Sequence, residues 1–259
     1  MASSTEAPAR SAFLGERWHR PASLVGLIGL WGLAAVLVGD ALFPGPAQVA
    51  GELLRQVAAG ELLFHVGVTL GRVAVSFVLA MLAGCAVGVA MGLWPTVNRL
   101  ADGLLLVLLN VPALVTIILC YVWLGLTETA AVLAVAINKT PMVAVNMREG
   151  ARVLDPAYAE LARVYRFGRW KTLRHVVVPQ LAPYLLASTR NGLALIWKIV
   201  LVVELLGRSN GVGFKLQLYF QLFRIDSLLA YSIAFIVCVL AIEFAVLQPL
   251  EKRISRWQR

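Results

Sequence analysis

The sequence predicts an all-α integral membrane protein with six transmembrane helices. Three observations predict it. Apolar residues fill 60% of 259 positions and charged residues only 14%, where soluble domains carry about 45–50% and about 25%. Mean hydropathy is +0.80. The apolar residues also gather into runs able to cross about 30 Å of hydrocarbon at about 1.5 Å per residue. No polar stretch between the runs reaches the size of a soluble domain.

Segment 1–21 is polar and carries Arg10, Arg17, His19 and Arg20. The apolar run after it is longer than a signal-peptide core and is followed by no A-x-A-like cleavage site, so it reads as a retained first helix. Spans are expected at 22–39, 66–93, 103–126, 130–147, 176–206 and 228–250 within one transmembrane domain, 22–257, with 258–259 as a tail. Pro44-Gly45-Pro46 stops the first helix. Residues 47–59 then repeat Val49, Leu53, Leu54 and Val57 at helical spacing, as an interfacial helix would. Gly207, Gly211 and Gly213 point to a tight turn or a short re-entrant stretch. Pro112, Pro141, Pro179 and Pro183 each free a carbonyl and can kink a helix.

Lys and Arg in the connections set the orientation. With the N-terminus inside, the cytoplasmic segments hold fifteen of them and the outer segments four, Arg55, Arg208, Lys215 and Arg224. Arg72, Lys139, Arg190 and Lys198 lie within or at the edge of spans. Both termini are therefore expected in the cytoplasm. The net charge of +9 collects at the ends of apolar runs, which is a mark of topology and not of nucleic-acid binding. Cys85, Cys120 and Cys238 fall inside apolar runs and form neither a disulfide framework nor a metal motif.

Two features inside the spans stand out. Gly84, Gly88 and Gly92 recur every four residues, a stripe on which another helix can pack backbone to backbone. Asn138, Lys139, Arg190, Trp197, Lys198, Glu204 and Glu243 place polar or charged groups at membrane depth. A charge there costs at least about 2.5–3.5 kcal/mol, so it faces a partner or a wet cavity. Arg190, Trp197 and Glu204 share a stripe at seven-residue spacing, and Lys198 is turned off it. A cationic pathway for an anionic solute and mutual neutralisation by Glu204 and Glu243 both fit.

The longest cytoplasmic connection is 148–175. Asp155-Pro156 is a helix start, with the carboxylate as cap and Pro at the first helical position. A short helix to about Tyr165 follows, then a turn at Arg166-Phe167-Gly168, then a second short helix leading to Pro179. This stretch resembles the Glu-Ala-Ala loop of binding-protein-dependent ABC importer permeases. Glu160-Leu161-Ala162 stands where that motif begins, and Pro179 follows nineteen residues after Glu160, as in the family. Two positions depart from it. Arg166 stands where the family has Gly, with Gly168 close by to supply the turn, and Val178 replaces the Leu before Pro179. Phe43-Pro44-Gly45-Pro46, Thr69-Leu70-x-Arg72, Trp197, Glu204, Gly211-Val212-Gly213 and the 251–257 stretch extend the likeness over most of the chain. It is most similar to the nitrate, sulfonate, taurine and bicarbonate permeases, a group that also holds permeases for thiamine precursors and aromatic solutes.

The resemblance implies a type I ABC importer permease in a bacterial inner membrane. Such a chain pairs with a second permease copy, here expected to be identical. It docks an ATPase that carries the ATP and Mg, and it receives solute from a periplasmic or lipid-anchored binding protein. Asp155, Glu160, Ala162, Arg166 and Gly168 are then the coupling residues, with Glu160 meeting a basic residue of the ATPase and Ala162 permitting close approach. No cofactor, metal or catalytic residue is expected in this chain, which holds no G-x-x-x-x-G-K-[ST]. A secondary transporter would show internal repeats and no docking loop. An intramembrane enzyme would need converging nucleophile, base or metal ligands, yet His19, His65 and His175 all sit at span edges.

Overall fold

A computed structural model describes residues 10–40 and 42–249. The described elements are helical: α1 (Arg10–Val38), α2 (Pro46–Ala58), α3 (Glu61–Leu93), α4 (Pro95–Asn110), α5 (Ala113–Leu124), α6 (Glu128–Arg152), α7 (Pro156–Val164), α8 (Arg169–Thr172), α9 (Val178–Gly207), α10 (Val212–Gln221) and α11 (Ile225–Ile242). One π-helical turn, Leu173–Val177, joins α8 to α9, and another, Glu243–Leu247, follows α11. The tail at 258–259 and the 251–257 match lie outside the described residues.

Four helical stretches are long and apolar enough to cross a membrane: Glu61–Leu93, Glu128–Arg152, Arg169–Gly207 and Ile225–Ala245. Val25–Val38 is a shorter apolar stretch. The expected third span, 103–126, is not one rod: α4 and α5 meet at an angle of 99°. Pro112 is the cause. It has no N–H to give, and it drives Val111 out of helical geometry to φ −70° and ψ 123°. Pro141 and Pro183, by contrast, lie inside the continuous helices α6 and α9.

Helices α3 and α6 form the most extensive helix pair. The glycine stripe of α3 makes that closeness possible. A methyl group at Gly84 would meet Val143 Cβ at 2.5 Å, one at Gly88 would meet the Ala144 carbonyl, and one at Gly92 the Ala151 methyl. In lipid no hydrophobic force drives helices together, so backbone approach of this kind supplies the van der Waals gain. Next to this seam, Ala130, Ala131, Ala134 and Val135 of α6 pack with Ile117 and Tyr121 of α5, with Ile196, Val200 and Val203 of α9, and with Tyr231 of α11. Short α10 folds back between α9 and α11, as the Gly207–Gly213 pattern suggests.

Candidate functional sites

The docking loop is built on α7. Asp155 caps it: its Oδ1 accepts from the Ala157 N–H at 2.8 Å, and its own N–H donates to Gln180 Oε1 at 2.9 Å, fastening the loop to α9. The helix ends in a Schellman motif. The Arg166 N–H reaches the Arg163 carbonyl at 2.9 Å and the Phe167 N–H the Ala162 carbonyl at 2.8 Å. Arg166 occupies the left-handed position of that motif, at φ +51°. Gly168 does not supply the left-handed turn, because it is extended, at φ −66° and ψ 159°, as the cap of α8.

Glu160 and Ala162 lie on different faces of α7. Two residues apart on a helix, they are turned about 200° from each other. Ala162 is 3% exposed and packs inside the loop near Phe167 and Leu173, while Glu160 is exposed. The small side chain lets the loop fold on itself. On the same loop Val164, Tyr165 and Trp170 are also exposed, at 77%, 67% and 72%.

The intramembrane residues separate into three settings. Glu204 and Trp197 belong to the interior. Glu204 is fully buried and paired with Arg72 of α3, not with Arg190 or the lysines. The Arg72 guanidinium gives Nη1 to Glu204 Oε1 at 2.6 Å and to the Asn210 carbonyl at 2.8 Å, and Nε and Nη2 to Glu128 at 2.8 and 2.6 Å. Its Nη2 also meets Asn210 Oδ1. Arg208 completes the set by bridging to Glu128 at 2.5 Å. The other oxygen of Glu204 accepts from Thr69 Oγ1 and from the Gly213 N–H, each at 2.9 Å. The Val212 N–H finds Thr69 Oγ1 and the Gly211 N–H finds His65 Nδ1. Thus the first turn of α10, whose N–H groups have no partner within the helix, is capped by a carboxylate, a hydroxyl and an imidazole from α9 and α3. Trp197 packs edge-on to Phe235 of α11 at 5.9 Å. Both side chains are buried within the single chain.

Lys139 is the second setting. It is 3% exposed, and its ammonium meets only Met142 Sδ, at 3.0 Å, among the described residues. Its stem lies against Gly192 of α9. Asn138 beside it is half-buried. The third setting is a bare face of α9. Positions 190, 191, 194, 195, 198, 202 and 205 are exposed, at spacings of three and four that mark one side of a helix. Arg190, Asn191 and Lys198 stand on it, and Lys198 has no ion-pair partner among the described residues. Glu243 is half-buried at the start of its π-turn, and no ion pair joins it to Lys139 or Lys198. Of the four cations within or at the edge of spans, Glu204 neutralises Arg72, while neither Glu204 nor Glu243 forms an ion pair with Lys139 or Lys198.

Sequence reasoning saw Arg72 only as a span-edge cation and a motif residue. Its pairing with Glu204 crosses 132 positions, a separation that no local pattern reveals. The signal was compositional: an acid and an arginine, both at the outer ends of apolar runs, each needing a partner.

A family model described as binding-protein-dependent transport system inner membrane component matches residues 76–255, more than half of the chain. The taurine transport system permease protein of Escherichia coli K12 is 28% identical over 242 residues, covering 91% of this chain and 88% of its own length. A putative aliphatic sulfonates transport permease protein of Bacillus subtilis 168 is 27% identical, covering 90% and 84%. In fold, the chain resembles one from the MetNI methionine ABC transporter in inward-facing conformations, with a TM-score of 0.60, 16% identity and coverage of 72% and 92%.

Proposed function

This chain belongs to the binding-protein-dependent transport system inner membrane components, and we propose that two copies of it enclose an ATP-driven import pathway for a small organic or inorganic anion of the sulfonate type. It is a transport component and not an enzyme. The observation that carries the substrate class is the exposed face of α9, where Lys198 stands with no ion-pair partner among the described residues. Lys198 does not belong against lipid, where it would cost at least about 2.5–3.5 kcal/mol. A second copy across a shared wet cavity removes that cost, and the cavity then carries a positive field that draws anions. The similarity to taurine and sulfonate permeases points to the same class.

Coupling follows from the loop. An ATPase subunit receives α7 in a cleft, with Glu160 and the exposed apolar side chains of the loop as the contact surface. Movement of α7 passes to the membrane through two routes. One is the Asp155–Gln180 hydrogen bond to α9. The other is the π-turn Leu173–Val177, a weak point in the rod between α8 and α9. Solute arrives from a binding protein on the outer side. Both termini lie in the cytoplasm of a bacterial cell, as the charge bias requires.

The test is Lys198→Ala in purified, reconstituted transporter. Import of taurine or an alkanesulfonate should fall while the amount of assembled complex stays constant. Unchanged import by an assembled variant removes Lys198 from the pathway. Loss of assembly would assign it a structural ion pair across the dimer instead.

A further inference from the structure

Between Pro156 and Val177 the docking loop carries five cations, Arg163, Arg166, Arg169, Lys171 and Arg174, and one acid, Glu160. Arg166 is the odd member. Its backbone lies at φ +51°, where an L side chain is strained and glycine is relaxed. The turn hydrogen bonds there are all made by the main chain, from the Arg166 and Phe167 N–H groups. The Arg166 side chain contributes nothing to them. It is exposed and meets no carboxylate among the described residues. The fold would therefore be better served by glycine at this point, and the guanidinium is held out for something else. Exposed Val164 and Tyr165 directly precede it and exposed Trp170 follows. Exposed large apolar side chains set among charges in one short loop are the form of a protein contact.

We propose that Arg166 is a partner-recognition residue that takes a carboxylate on the ATPase subunit, so that the loop selects an ATPase with an acidic rim around its docking cleft. The inference rests on the reading of α7 as the ATPase-docking helix and adds a second charged contact of opposite sign to Glu160. Arg166 stands just past the end of α7, in the left-handed position of its C-terminal turn. Arginine suits the task because its planar fork meets a carboxylate with two parallel hydrogen bonds.

The experiment measures ATPase affinity for the permease in nanodiscs, at low and high salt, for Arg166→Gly, Arg166→Gln and Glu160→Lys. Both Arg166 variants should weaken binding about tenfold or more at low salt and show a flatter salt dependence. Arg166→Gly should unfold at the same temperature as the parent or higher, since glycine relieves the backbone. Glu160→Lys should abolish binding. Parent-like binding by Glu160→Lys overturns the docking reading itself. Lost binding in Glu160→Lys with parent-like binding in both Arg166 variants overturns only the role of Arg166. Weak binding in Arg166→Gly restored in Arg166→Gln would make the shape of the turn responsible and sink the charge argument. An Arg166→Gln variant that loses stability only in anionic lipid, with ATPase affinity intact, would assign the guanidinium to lipid headgroups and refute the proposal.

Discussion

Replacing Arg72 by Met should be among the most damaging single changes in the chain. The side chains of Arg72 and Glu204 are 5% and 0% exposed. Removing the arginine leaves a carboxylate buried without its cation, a loss of about 3–5 kcal/mol. Glu128 adds little to that figure, because its side chain is 53% exposed and it keeps Arg208. Glu204→Gln should cost less, about 1–3 kcal/mol. The amide oxygen still accepts from the Gly213 N–H, and Arg72 keeps Glu128 and Asn210. In the double variant no bare carboxylate remains, so the two losses should not add. The coupling should reach about 2–3 kcal/mol. Unfolding of the purified permease in mixed detergent micelles, followed across an SDS titration, measures all four forms. Simple additivity, or an Arg72→Met loss below about 1 kcal/mol, would refute the view that this pair fastens α10 and α9 to α3.

Three further outcomes are expected. Gly88→Val should separate α3 from α6, because the new side chain would run into the Ala144 carbonyl; the loss should be at least about 1–3 kcal/mol and is read in the same titration. Glu52 on outer helix α2 is held near pKa 2, first by its hydrogen bond from Arg55, with Gln56 and Ser227 adding to it. Its contribution to stability should therefore be complete above pH 4.5 and vanish as the pH falls toward 2, so parent and Glu52→Gln should converge in thermal stability at the acid end. A reporter fused at Ala157 should read cytoplasmic and one at Asn210 extracytoplasmic, which an activity-based topology assay checks directly.

Local rules carried the sequence reading a long way. Capping chemistry located α7, because Asp155 and Pro156 act within one turn. Helical periodicity picked out the glycine stripe, because three residues in register leave one smooth face. The failures share a different character. Gly168 was expected to turn the chain, yet the left-handed residue is Arg166, since the hydrogen bonds of the helix end fix the position and not the residue type. Ala162 was expected to permit close approach of the ATPase, and in the single chain it is buried inside the loop. Pro112 marked where the third span can kink, but nothing local set the size of the bend, 99°. The partner of Glu204, Arg72, comes from a distant helix and left no local trace. Tertiary pairing decides which intramembrane charges are available, and among the described residues Lys139 and Lys198 have no ion-pair partner.

The central claim is that this chain moves an anion at the expense of ATP hydrolysed on another subunit. Uptake of radiolabelled taurine into proteoliposomes tests it most directly, with permease and ATPase in the membrane, ATP sealed inside and the binding protein outside. Uptake should require ATP and the binding protein, should be competed by alkanesulfonates and not by cations, and should cease with Glu160→Lys. Uptake that proceeds without the ATPase and follows an imposed ion gradient would contradict the account.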